Sequence, residues 1–265
     1  METVLRYLSE ARTNLSNIGF GDASKVLSDY QQWVSASAET LGFAFDHDAI
    51  ETLVLTRRSW LLMGTHRVFG EADNGPAIQK TFSAERTDRL RVLDEMIAKY
   101  RSIEARWGRS SDKFVVPDTN FFLHHDVLFD EADWETFAHR RSGQKVRVIV
   151  PIAVVRELDR QKINGKNIKV GKPEVDLRTR ARQTLRALRD MFQQPDRSYG
   201  LSPVVEVELM QDPLSHQPLP SVDSEIIERC LAAKRISGKD IWLLTRDLGM
   251  KLTATTEGLT VIDQV

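Results

Sequence analysis

Several carboxylates in this sequence stand where folded chains carry out chemistry. Asp118 closes a short β-branched run, Phe-Val-Val-Pro-Asp, and Asp247 follows another, Ile-Trp-Leu-Leu-Thr-Arg-Asp. If these runs are parallel strands of one open sheet, both acids face the crevice outside the strands' carboxyl ends, where such sheets bind ligands. Asp223 opens a helical pattern ahead of the second run, and Glu157 and Asp159 lie in a helical pattern after residues 146–150. Two positions along a helix differ by about 200° of rotation, so only one of Glu157 and Asp159 can face that crevice, and spacing alone does not choose. Converging carboxylates without His, Cys or Lys at ligand spacing raise one another's pKa unless a cation neutralises them. A donor set made only of oxygen suits Mg²⁺ or Mn²⁺. Asp223 and Asp247 also have a purely structural reading as helix N-caps, each worth about 1 kcal/mol, and the two roles are compatible.

The elements that must position these acids divide the sequence in two. Residues 1–107 read as an all-helical domain. Leu5, Leu8, Leu15 and Ile18 recur at helical spacing, as do Tyr30, Trp33, Val34, Ala38 and Leu41, and Leu93, Met96, Ile97, Tyr100, Ile103 and Trp107 mark a long third or fourth helix. Residues 64–76 form a loop by composition and 108–113 an interdomain linker. From 114 to 265 short β-branched runs alternate with helical patterns, the signature of an α/β domain with a mostly parallel sheet. Strands are predicted at 114–116, 146–150, 204–209, 241–244 and 259–262, and helices at 151–162, 177–191, 223–234 and 248–253. Pro151 suits a first helical turn, and 163–174 is a polar, basic loop.

Composition narrows the function. Of 265 residues, 41% are hydrophobic and 28% charged, ordinary for a globular chain. No run approaches the roughly 18 apolar residues of a membrane helix, so a cytoplasmic protein without membrane contact is expected. The single cysteine, Cys230, excludes an internal disulfide and a thiolate cluster for zinc or iron. The formal charge is −1, yet residues 140–190 hold 15 Lys and Arg against 5 Asp and Glu, a basic block suited either to a polyanion or to a solvated surface.

Four segments carry a resemblance. Val116-Pro-Asp-Thr-Asn-Phe-Phe-Leu-His-His125, Val150-Pro-Ile-Ala-Val-Val-Arg-Glu-Leu-Asp-Arg-Gln-Lys162, Val222-Asp-Ser-Glu-Ile-Ile227 and Leu244-Thr-Arg-Asp-Leu-Gly-Met250 resemble the PIN-domain motifs. They occur in the family's order over about 113–263, in a style closer to the larger PIN domains than to the compact toxin type. The resemblance implies a three-layer α/β fold with a mostly parallel central sheet, and a ribonuclease whose acidic tetrad maps onto Asp118, Glu157, Asp223 and Asp247. It selects Glu157 over Asp159, gives Asn120 a position supporting the first acid, and gives Thr245 that of a small hydroxyl residue near the last. Pro117 before Asp118 and the basic loop are departures from the simplest pattern.

The activity this implies is Mg²⁺- or Mn²⁺-dependent endonucleolytic cleavage of single-stranded RNA. All four acids are metal-ligand candidates, with Asp118 and Asp247 as direct ligands and Glu157 and Asp223 as ligands or bases holding water. Lys162, Lys166, Lys169, Lys172, Arg178, Arg180 and Arg182 are expected to track the phosphate backbone. The alternative is a catalytically silent module that binds RNA or protein. The helical domain is the candidate surface for self-association or for a regulatory protein. Adjacent His124 and His125 read as helix-surface residues, and Trp33 and Trp107 as core.

Overall fold

The structure is a computed structural model describing residues 2–65, 75–107, 112–139, 141–164, 169–170, 175–212 and 216–263. It divides into two compact units, residues 1–108 with 213–217, and residues 109–212 with 218–265. Among the described residues no helix is long and apolar enough to cross a membrane.

The first unit contains the helices α1 (Glu2–Asn17), α2 (Ala23–Gly42), α3 (His47–Leu53), α4 (Arg57–Thr65) and α5 (Gly75–Trp107). Asp22 and Asp46 cap α2 and α3 by accepting hydrogen bonds from the backbone N–H groups of Lys25 and Ala49. Leu8, Leu15, Tyr30, Trp33 and Leu93 are buried, and the Trp33 indole donates to the Ala11 carbonyl at 2.8 Å. Glu85, 1% exposed, accepts from Thr56 Oγ1 at 2.7 Å and faces Arg89 at 3.2 Å, so its charge is matched inside the bundle. The long helix expected third or fourth is the fifth. α3 and α4 span seven and nine residues, too few turns for periodicity to reveal them.

The second unit is built on a mixed sheet. Its strands are β1 (Lys113–Pro117), β2 (Val146–Pro151), β5 (Tyr199–Ser202), β6 (Val205–Met210), β7 (Ile241–Leu244) and β8 (Thr260–Ile262), in the order β5-β6-β2-β1-β7-β8. All neighbours are parallel except β5, which pairs antiparallel with β6 at one edge. A separate short hairpin joins β3 (Lys169–Val170) to β4 (Val175–Asp176). β2 is buried at every position, as a central parallel strand covered on both faces must be. Its one charge, Arg147, is offset by Asp112, Glu206 and Glu208 at 3.0–3.2 Å.

The connecting helices are α6 (Thr119–His124), α7 (Trp134–Phe137), α8 (Ile152–Asn164), α9 (Leu177–Met191), α10 (Val222–Ser237) and α11 (Leu248–Thr256). α9 occupies the span predicted for it, and α10 ends on Gly238, whose positive φ of 65° closes the last turn. Pro151 is the last residue of β2, opposite Met210, and the helix starts one residue later. Without an N–H, Pro151 cannot extend the ladder. β5 and the β3–β4 hairpin were not expected. Of Tyr-Gly-Leu-Ser only Tyr199 is a strong strand former and Gly200 counts against a strand, and β3 falls inside the predicted basic loop, whose residues 165–168 and 171–174 lie outside the described ones.

Candidate active site

β1 and β7 run side by side and deliver Asp118 and Asp247 at the same end of the sheet. Pro117 is level with Leu244, and the Asp118 N–H donates to the Leu244 carbonyl at 3.0 Å. From β1 the chain turns to β2 on one side, while β7 and β8 lie on the other, so the two acids flank the point where strand order reverses. Each also caps the helix it precedes. Asp118 Oδ1 accepts from Phe121 N and Asp247 Oδ1 from Met250 N, both at 2.7 Å. The backbone thereby fixes one oxygen of each acid and leaves the other to be placed by neighbours. Thr245 places one of them: its Oγ1 donates to Asp118 Oδ2 at 2.6 Å and accepts from Asp247 N at 3.1 Å, tying the two acidic segments together. Gly249 keeps Asp247 uncrowded, because a Cβ there would meet Oδ1 at 3.2 Å.

Asp223 and Glu157 complete an electrostatic group. Asp223 lies in the first turn of α10, whose N-cap is Ser221, so Asp223 is not the cap. Burial pushes the Asp118 carboxyl above its ordinary range, hydrogen bonds from Thr245 and Phe121 oppose that, and the charges of Asp223 and Asp247 add to the rise. Asp223 is raised by partial loss of solvent and then by Asp247 and Glu157. Asp118 thus feels Asp223 and Asp247, and Asp223 feels Asp247 and Glu157. Glu157 also accepts from Gln161 at 2.7 Å and from Arg160 at 3.3 Å. Asp159 instead lines a groove on the other side of α8 with Lys162, as the 200° rotation requires. The donor set is carboxylate oxygen, Asp118 and Asp223 are raised first by burial and then by neighbouring carboxylate charge, and an oxygen-only set of this kind suits a divalent cation.

A small recess beside Asp118 is lined by Asn120, Phe121, His125, Leu244, Thr245 and Arg246. His125 follows the end of α6 and is half-buried, stacked on Phe121 at 4.7 Å and edge-on to Phe137 at 5.0 Å. Burial, with the charge of Arg246 adding to it, lowers the pKa of His124, and burial likewise lowers that of His125. His124 is exposed on α6 as expected, whereas His125 lies past the helix end and is not the plain helix-surface residue expected. Arg246 is not one of the strand-end acids, so residue type alone does not single it out. Its position between Thr245 and Asp247 was the available signal.

The basic block is not one surface. Arg180, expected to meet RNA, is 3% exposed, and its guanidinium donates to the carbonyls of His125 and Val127. It is a buried strut. Lys162 is paired with Asp159 at 2.6 Å, and with Arg182 it lines the groove on the side of α8 turned away from Glu157. Arg178 is exposed at the start of α9. Lys169 sits on β3, and Lys166 and Lys172 lie outside the described residues.

Comparison with known proteins adds a family to this geometry. The sequence pattern of the PIN domain matches residues 115–264. No curated protein matches the chain. Among solved structures, the tetrameric eIF2B-beta2-delta2 complex from C. thermophilum is similar at 12% identity, with 91% of this chain and 70% of that chain covered and a TM-score of 0.23. eIF2B beta from Chaetomium thermophilum follows at 10% identity, 91% and 68% coverage and a TM-score of 0.20. Similarity that low carries no argument about this chain.

Proposed function

The chain belongs to the PIN-domain family, and from that premise we propose that its second unit is a divalent-metal-dependent endonuclease acting on single-stranded RNA. One observation carries the reading. Asp118 and Asp247 leave neighbouring parallel strands at one end of the sheet, tied together by Thr245, and Asp223 feels the charges of Asp247 and Glu157 there. Helix capping accounts for Asp118 and Asp247 singly, and like charges brought near one another favour a cation between them.

Asp118 and Asp247 would hold Mg²⁺ or Mn²⁺ directly, each with one oxygen already fixed by a backbone N–H. Glu157 and Asp223 would either share the ion or hold the attacking water as bases. The bound ion supplies Lewis acidity at the phosphoryl oxygens and makes water a stronger nucleophile at neutral pH. Thr245 orients Asp118 and the start of the Asp247 turn. Arg246, exposed beside Asp118, suits a phosphate oxygen next to the bond being cut, and Asn120 borders the same recess. Lys166, Lys169, Lys172 and Arg178 are assigned to the backbone on either side. The first unit is assigned to self-association or to a regulatory protein.

The test is incubation of the purified full chain with end-labelled single-stranded RNA in Mn²⁺ or in EDTA. Internal cleavage is expected only with the metal. Asp118→Asn should abolish it while circular dichroism stays unchanged, because the substitution removes a ligand charge at nearly constant volume. Cleavage that persists in EDTA, or in Asp118→Asn, would reject the assignment.

A further inference from the structure

The groove between α8 and α9 is a second feature of this unit, and the acidic site does not use it. It has a volume of about 640 Å³ and reaches Leu209 of β6. α8 lines it with Ile152, Val155, Asp159 and Lys162, spaced i, i+3, i+7 and i+10. α9 contributes two parallel rows. Leu185, Leu188 and Phe192 form the floor, and Arg182, Arg186 and Arg189 form the rim. Ile152, Val155, Leu185, Phe192 and Leu209 are all only half-buried, so apolar surface from three elements opens into one trough.

Charge on the rim is unbalanced. Asp159 takes up Lys162, and Asp190 takes up Arg189 at 3.2 Å. Among the described residues Arg182 and Arg186, one helical turn apart, have no ion pair. Ten residues of α8 run about 15 Å, roughly three turns, which matches the face a short third helix lays between two others.

We propose that this groove docks an amphipathic acidic helix of a partner protein. Apolar side chains of the partner at i, i+3, i+4 and i+7 would fill the trough, and Asp or Glu on its flank would meet Arg182 and Arg186. An RNA strand is the less fitting occupant. Its phosphodiester backbone gains nothing from an aliphatic floor, and among the described residues Phe192 is the one aromatic side chain lining it on which a base could stack. The site is independent of the nuclease reading, because α8 turns Glu157 away from it and docking needs no catalysis.

Binding to the full chain can be measured by fluorescence anisotropy with a labelled synthetic 14-residue peptide. The peptide carries Leu at i, i+3, i+4, i+7 and i+11, with Glu filling its flanks. A composition-matched scramble and a single-stranded oligoribonucleotide are compared. The peptide is expected to bind at least about tenfold more tightly than the scramble. Arg182→Glu combined with Arg186→Glu should weaken it by about tenfold or more, the equivalent of about 1.4 kcal/mol. Leu185→Ser, which leaves the charges in place, should weaken it as well. Equal affinity for peptide and scramble, or a charge-reversed variant that binds as wild type, overturns the proposal. So does loss of oligoribonucleotide binding in that variant when the wild type does not bind the peptide, since the groove is then part of an RNA path.

Discussion

Thr245 shows how much of the site rests on one hydroxyl. Its Oγ1 is a donor to Asp118 and an acceptor from the Asp247 backbone, and the residue is only 2% exposed, so water cannot take over either bond. Thr245→Val keeps the shape and removes both. Asp118 Oδ2 then loses the partner that aims it, and a misaimed ligand weakens metal binding by about 10- to 100-fold. Thr245→Ser should restore most of the loss, because the hydroxyl rather than the methyl group does the positioning. Calorimetric titration with Mn²⁺ on wild type and both variants is the check. Equal affinities in Val and wild type would mean that the backbone caps alone fix the acids.

At the scale of elements, α9 shows what periodicity reads and what it misreads. Its buried row is Leu177, Arg180, Ala181, Thr184 and Leu188, and Arg180 stands on the apolar stripe although its residue type suggests a surface. Stripe position was the signal that outweighed residue type. Arg147 on fully buried β2 makes the same point for a strand. β1, β2 and β7 were legible because central parallel strands are nearly continuous apolar runs. With them came the strand-end placement of Asp118 and Asp247. The Thr245 bridge was not legible, since it depends on β1 and β7 pairing across more than 120 residues. Arg180→Met should lower stability by about 3 kcal/mol, leaving two carbonyls without their donor. The slope of log RNA affinity against log salt should not change. Replacing Lys166, Lys169 and Lys172 together by Ala should do the reverse, flattening that slope by about 0.7 per lost contact with little change in melting. Denaturation and salt titration of both variants in the Asp118→Asn background separate strut from substrate contact. A flattened slope in Arg180→Met would restore that residue to the RNA path.

For the molecule as a whole, the acidic cluster makes stability depend on pH in a direction opposite to that of the surface carboxylates. Asp88, Asp133 and Asp176 are lowered below the ordinary value of 3.8 by their hydrogen bonds, so what they contribute is lost only as pH falls below that value. Asp118 and Asp223 are raised above it. Between 3.8 and their folded-state values the native protein holds protons that the unfolded chain has released, so stability declines as pH rises through that window. The metal-free protein should therefore lose melting temperature on going from acid toward neutral pH. Asp118→Asn with Asp223→Asn should lack that decline, because neither amide titrates. Mn²⁺ reverses the balance at neutral pH, where the carboxylates are charged and can ligate it. At about 100 times its dissociation constant, it should stabilise the wild type by about 2.7 kcal/mol and the double variant far less. The comparison is a difference between two proteins with the same two units, so it holds even if those units melt in separate steps. Melting curves with and without Mn²⁺ across the acid-to-neutral range provide the measurement. Parallel curves for wild type and double variant in EDTA would show that neither Asp118 nor Asp223 is raised in the folded protein.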